Sequence, residues 1–241
     1  MLNIPSISNL LFQHTSSFIG SSKEPSITPT RNTPMIYTEG TYFGLDYSIV
    51  SLNPDKINFT FLQESEAQDN ETNPANNSIV FNGGYFNDQR NPDGLLIYDN
   101  LPYSQISDKK VMSGVFSIYN GRARIDRSVS FTPNRNVNFA IQNGPLVIEH
   151  GERGILSDTE NEFERTILAT DYSGNAFLVI IKTPVDLYDC QDLLIDKIPN
   201  LDSALDLDGG PSTYYRYHSS TSTASFGTLG YPAYFIKASI K

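Results

Sequence analysis

The chain has 241 residues, of which 39% are hydrophobic and 18% charged, with 27 Asp+Glu against 17 Lys+Arg for a formal net charge of -10. That balance describes an ordinary folded chain and lacks the basic face that nucleic-acid phosphates require, so a nucleic-acid partner is not expected. No apolar run reaches the ~18 residues of a membrane-spanning helix, and Cys190 as the sole cysteine excludes an intrachain disulfide and a multi-cysteine metal site.

The length suits a single domain with a sizeable core. Residues 1–35 are rich in Ser, Thr, Pro and Asn without a sustained period, which predicts an N-terminal arm or loosely packed leader before a domain at 36–241. The first 22 residues have neither a basic leader nor a continuous apolar region, so they do not read as a secretory signal. The sequence leaves compartment and oligomeric state open.

From residue 35 the pattern becomes β-rich, with strands expected at 36–37, 42–45, 47–50 and 57–62. Residues 64–77 are polar and Asn-rich and predict an exposed loop. A short apolar run at 78–81 ends abruptly in Asn82-Gly83-Gly84-Tyr85-Phe86. Further strands are expected at 114–119, 138–141, 146–148, 165–170 and 176–182, the last two joined by a turn at 171–175. One helix is expected, with Thr183 as N-cap, Pro184 in the first turn and Asp186 at capping-box spacing. Leu187, Cys190, Leu194 and Ile198 mark its buried face, and Pro199 follows its end. Cys190 therefore reads as a buried structural thiol. A Ser/Thr run at 219–225 predicts a mobile loop, and 233–240 a final strand. The resulting fold class is α+β, mostly antiparallel β-sheet with a few packed helices.

The helix leads into Ala204-Leu205-Asp206-Leu207-Asp208-Gly209-Gly210-Pro211-Ser212-Thr213. In an extended strand Leu205 and Leu207 point one way, while Asp206 and Asp208 point the other, about 6.6 Å apart along the chain. Both acids can then face one pocket. Gly209 and Gly210 let backbone N–H groups approach an anion, and Ser212 and Thr213 add hydroxyls. Alone, this stretch also reads as a strand closing in an Asp-Gly turn. Three other strands break in a similar way: at Asn82-Gly83-Gly84-Tyr85, at Gln142-Asn143-Gly144-Pro145 and at Arg165-Thr166. Several such breaks suggest a shared pocket.

In order and wording these pieces resemble the phosphodiester glycosidase family, in which NGGYF-like, QSGP-like, RTAIG-like and ALNLDGGGST-like segments follow one another. The resemblance covers about residues 78–215. It implies cleavage of a sugar C1–O bond whose oxygen belongs to a phosphodiester, with a small-molecule or glycan substrate. Asp206 stands where the family usually carries Asn, and Ala169 and Pro211 stand where it usually carries Gly. Asp208 is accordingly the acid that the resemblance carries over, and Asp206 rests on strand geometry alone.

A phosphate leaves more easily than a sugar alkoxide, so cationic and backbone donors with one carboxylate could suffice. Asp208 is expected to act as general base or as stabiliser of an oxocarbenium-like transition state. Arg165 is expected to bind phosphate bidentately. The N–H groups of Gly83, Gly84, Gly209 and Gly210 would complete the anion cradle with Ser212 and Thr213. Asn82, Gln142 and Asn143, with Gly144 at their turn, would bind sugar hydroxyls, and Tyr85 could stack on the sugar. No cofactor is required, although Asp206, Asp208 and nearby carbonyls are hard oxygen ligands that could take Ca²⁺ or Mg²⁺. Two other functions stay open: a carbohydrate- or nucleotide-binding module without catalysis, and a metal-dependent phosphodiesterase cutting P–O.

Overall fold

The computed structural model describes residues 27–28 and 32–241, so the arm expected at 1–35 lies largely outside the described residues. The described residues form three antiparallel sheets. The first runs, in spatial order, β1 (Met35–Tyr42), β2 (Leu45–Leu52), β13 (Ala176–Val185), β12 (Phe163–Asp171), β14 (Leu201–Asp206), β10 (Leu146–Glu149) and β11 (Glu152–Arg153). The second is β16 (Thr223–Phe226), β15 (Tyr215–His218), β4 (Ser78–Asn82), β17 (Phe235–Ile240) and β3 (Ile57–Leu62). The third is β6 (Leu101–Ser104), β5 (Leu96–Tyr98), β9 (Val137–Asn143), β7 (Gly114–Tyr119) and β8 (Arg122–Arg127).

Period-two alternation explains how the sheets pack. Val50, Leu168, Leu178, Ile180, Leu205 and Leu207 face a central core that they share with Phe59, Ile79, Phe81, Tyr215 and Ile236 of the second sheet and Leu96, Phe116, Phe139 and Ile141 of the third. The alternate residues Ile167, Ala169, Phe177, Val179, Ile181 and Ala204 point outward and pack with Cys190, Leu193 and Leu194 of helix α2 (Leu187–Lys197). The central strands of the first sheet are thus apolar on both faces, and polar side chains gather at their ends. Asp206 shares the outward face with Ala204, two residues earlier, at the end of β14.

Three expectations need correction. Residues 64–77 are not simply a loop, because Glu64–Thr72 forms helix α1. Its N-terminus is closed by the Glu66 carboxylate accepting the Gln63 N–H at 2.8 Å. Ala67 is its one buried residue, so no apolar stripe announces it. Polar ties dock it instead: Glu71 accepts from the Tyr214 hydroxyl and from Arg216, and Lys237 donates to Asn70.

Helix α2 begins later than Thr183-Pro184. Strand β13 continues through Val185, and the N-cap is Asp186, whose carboxylate accepts the Tyr188 N–H at 2.8 Å. The Thr183 hydroxyl accepts the Asp46 N–H instead. The serine-rich stretch at 219–225 is also more ordered than expected, since the Ser219 hydroxyl accepts the Thr221 and Ser222 N–H groups and Thr223 starts β16. Among the described residues no helix is long and apolar enough to cross a membrane.

Candidate active site

The three glycine-broken strand ends meet where the ends of the three sheets converge, beside Arg165-Thr166, which, against expectation, is no strand break because both residues lie within β12. The Asn82 side chain, at the end of β4, donates to the Asp208 carbonyl at 2.7 Å and accepts from the Thr166 hydroxyl at 2.7 Å. Asn143, at the end of β9, donates to the Asp206 carbonyl at 2.8 Å and accepts the Tyr85 N–H at 2.9 Å. The Pro145 carbonyl accepts the Asp206 N–H, and the Thr166 carbonyl accepts the Leu207 N–H. Side-chain amides thus hold the acid-bearing backbone from two neighbouring sheets. Beyond it, residues 210–212 make a single 3-10 turn.

Many expected ligand-binding groups are already engaged. Both donors of the Asn82 amide are used by Gly83 and Asp208 carbonyls, and its oxygen accepts from Thr166 and the Tyr214 N–H. Gln142 is equally occupied, accepting from the Leu95 and Ser107 N–H groups and donating to the Ser107 and Met112 carbonyls. Both amides, expected to meet sugar hydroxyls, thus have their donors and oxygens engaged within the framework. The cradle at Gly83-Gly84 is corrected too, because the Tyr234 carbonyl takes the Gly83 N–H and the Tyr234 hydroxyl takes the Gly84 N–H, each at 2.9 Å. Glycine is needed at 83 for another reason: a Cβ there would lie 2.1 Å from the Tyr234 ring.

Tyr234 was not legible as a site residue. It reads in the sequence as one more aromatic of a C-terminal strand, and the strand pairing that carries it to β4 lies about 150 positions away.

Arg165 is buried and cannot offer phosphate its full fork. Its Nε donates to the Val185 carbonyl at 3.0 Å and one terminal nitrogen to the Asn161 carbonyl at 2.6 Å. The other terminal nitrogen lies 3.7 Å from the Asp206 carboxylate. That separation is longer than a hydrogen bond. One Asp206 oxygen has no partner among the described residues, and the same is true of the buried Thr213 hydroxyl.

The two acids therefore sit in different surroundings. Burial pushes the Asp206 carboxyl up to about 8; the Arg165 charge opposes this, and the Asp208 charge adds to it. Burial also raises Asp208, but the Ser212 hydroxyl and the Gly209 N–H donate to its carboxylate and oppose the rise. Asp208 is half-buried, whereas Asp206 is 2% exposed. Asp206 is therefore the acid pushed further toward its protonated form, and Asp208 is the one whose carboxylate has donors. Tyr85, also half-buried, has its phenol raised by burial and by the fields of both acids, with Arg165 opposing.

A measurable consequence follows from the sign of the Asp206 shift. Its pKa is raised on folding, so the folded state holds the proton more tightly, and the contribution is complete below about 4 and lost as pH rises through about 8. Relative to Asp206→Asn, the stability of the parent protein should fall by about 1.4 kcal/mol per pH unit within that window. Urea unfolding of both proteins at pH 5, 6, 7 and 8 measures it, and parallel pH dependences would contradict the assignment.

The sequence profile of the phosphodiester glycosidase family matches residues 75–233, which include every candidate residue named above except Tyr234. The chain belongs to the phosphodiester glycosidase family. Among solved structures, this phosphodiester glycosidase family member is similar to the zebrafish N-acetylglucosamine-1-phosphodiester alpha-N-acetylglucosaminidase catalytic domain auto-inhibited by its pro-peptide. The TM-score is 0.61 at 14% identity, over 89% of this chain and 86% of that one. It is also similar to a hypothetical protein from Synechocystis, with a TM-score of 0.53 at 14% identity, over 86% of this chain and 62% of that one. At that identity the likeness speaks for the fold alone. No curated protein matches the sequence significantly.

Among the described residues no group of three or more His, Cys, Asp or Glu is placed to hold a metal ion, and the Arg165 guanidinium lies 3.7 Å from the Asp206 carboxylate.

Proposed function

We propose that the protein hydrolyses a sugar-1-phosphodiester at the C1–O bond, releasing free sugar and a phosphate monoester. The observation that carries this reading is the unequal pair of acids at the junction of the three sheets. Asp208 is half-buried and its carboxylate accepts from Ser212 and Gly209, while Asp206 is fully buried with one oxygen that has no partner among the described residues.

Breaking C1–O in this substrate expels a phosphate, a weak base that needs no strong proton donor. The demand on the protein is different: positive charge must build on the sugar ring, and a water must reach C1. Asp208 supplies a fixed negative charge beside the ring and accepts the proton of the attacking water. Asp206 acts through Asp208 as a positioning residue, because a neutral group there spares the site a second buried negative charge. Arg165 acts at the same remove, since its guanidinium is anchored on two carbonyls and fixes the field around the acid pair. The Tyr85 phenol, in the field of all three groups, is a donor for a departing phosphate oxygen.

Membership of the phosphodiester glycosidase family supports this class of substrate. Incubation with sugar-1-phosphodiesters carrying a methyl aglycone should yield free sugar and methyl phosphate. Calorimetric binding with no product after prolonged incubation would instead leave a binding module that has kept the pocket without the chemistry.

A further inference from the structure

A cavity of about 720 Å³ opens between residues 106–110, the stretch at 127–129, residues 154–155 and the Pro145-Leu146 corner. Ile106, Val129, Leu146 and Ile155 give it apolar walls. Val129 is 92% exposed and Ile106 43% exposed, an unusual degree of exposure for branched aliphatics gathered around one hollow.

The cavity is built onto the candidate site by the same segment that braces the acids. Gln142 uses its amide to hold Ser107 and Met112, and so fixes the loop that forms one wall. At Gly144 a Cβ would fall 2.1 Å from the Val111 carbonyl, so only glycine lets that loop close against the turn. The Ser113 hydroxyl accepts the Leu146 N–H. On the far side of the turn, Pro145 and Asn143 hold the Asp206 backbone from both its N–H and its carbonyl. The wall of the cavity and the support of the acid pair are one piece of chain.

The lining carries Lys109, Lys110 and Arg127 together with Asp108 and Glu149. Lys109 is engaged by Asp93 and Arg127 by Glu149, so among the described residues Lys110 is the rim cation without such an ion pair. An ammonium so placed at the mouth of an apolar cavity is where an anionic group would be met.

We propose that this cavity is the aglycone subsite and that it takes an aliphatic aglycone, with Lys110 facing the anionic diester. The assignment rests on the hydrolase reading above and names its substrate class: a sugar-1-phosphodiester whose far side is an alkyl chain. Burial of each methylene improves binding roughly fourfold, so a chain of several carbons on these walls gives a large discrimination.

The test compares one sugar-1-phosphodiester with a methyl and with an octyl aglycone, and separately titrates octyl phosphate by calorimetry. The octyl diester should show kcat/KM at least about tenfold above the methyl diester. Val129→Asp and Ile106→Asp, both on exposed positions, should bring that ratio close to one. Lys110→Glu should weaken octyl phosphate binding at least about tenfold. Equal rates on the two diesters, or octyl phosphate binding indifferent to all three variants, overturns the subsite while leaving the hydrolase intact. Hydrolysis of neither diester, with octyl phosphate still bound, overturns the hydrolase reading and the aglycone assignment with it.

Discussion

Replacing Asp208 by Asn should reduce kcat for a sugar-1-phosphodiester by about a thousandfold, the scale of a lost general base or charge stabiliser, and should leave the fold in place. The carboxylate is half-buried and its pKa is already raised by burial, so an amide of the same shape removes a charge that the fold holds at some cost. Asp206→Asn makes the necessary contrast. Burial favours the protonated form of Asp206, and Asn reproduces a neutral side chain of that size, so activity should stay within about tenfold of the parent. Steady-state kinetics on both variants, with unfolding curves to verify the fold, decides between them. A severe loss in Asp206→Asn with a mild one in Asp208→Asn would reverse the roles.

The second large effect is on stability. Asn82 is fully buried, and its amide joins Gly83, Asp208, Thr166 and Tyr214 by four hydrogen bonds. Truncation to Ala leaves buried partners unsatisfied, each at about 1–3 kcal/mol, and opens a small void. Asn82→Ala should therefore destabilise the protein by about 3–5 kcal/mol, measured as a fall in the urea midpoint at constant m-value. Activity should vanish with it, because the Asp208 carbonyl loses its tether. A loss below about 1 kcal/mol would show that the amide does not hold the framework.

These residues also show what the sequence could and could not reveal. Where the three glycine-broken strand ends lie was legible, because Gly after an apolar β-run marks a strand end, and strand ends are where polar groups escape the core; the break expected at Arg165-Thr166, where no glycine stands, is absent because β12 runs through it. The alternation that puts Asp206 opposite Leu205 and Leu207 was legible for the same reason. Which polar groups remain available was not. The Gly83 and Gly84 N–H groups read as an anion cradle until Tyr234 is brought to them by the pairing of β17 with β4.

Arg165 read as a phosphate fork, and only the fold shows that the Val185 and Asn161 carbonyls hold two of its nitrogens. Helix α1 escaped notice because its docking is polar, through Glu71 and Asn70, and leaves no apolar period. For Tyr234 and helix α1 the missing information was a long-range partner, and for Arg165 it was the backbone geometry that turns two carbonyls toward its guanidinium, neither of which local composition encodes.

The central claim is that the bond cut is C1–O and that the nucleophile is water at the sugar carbon. Hydrolysis of a sugar-1-phosphodiester in water enriched in heavy oxygen, followed by mass analysis of both products, tests it directly. The account predicts the label on the anomeric hydroxyl of the free sugar and none on the phosphate monoester; label on the phosphate would contradict it and place the cleavage at P–O.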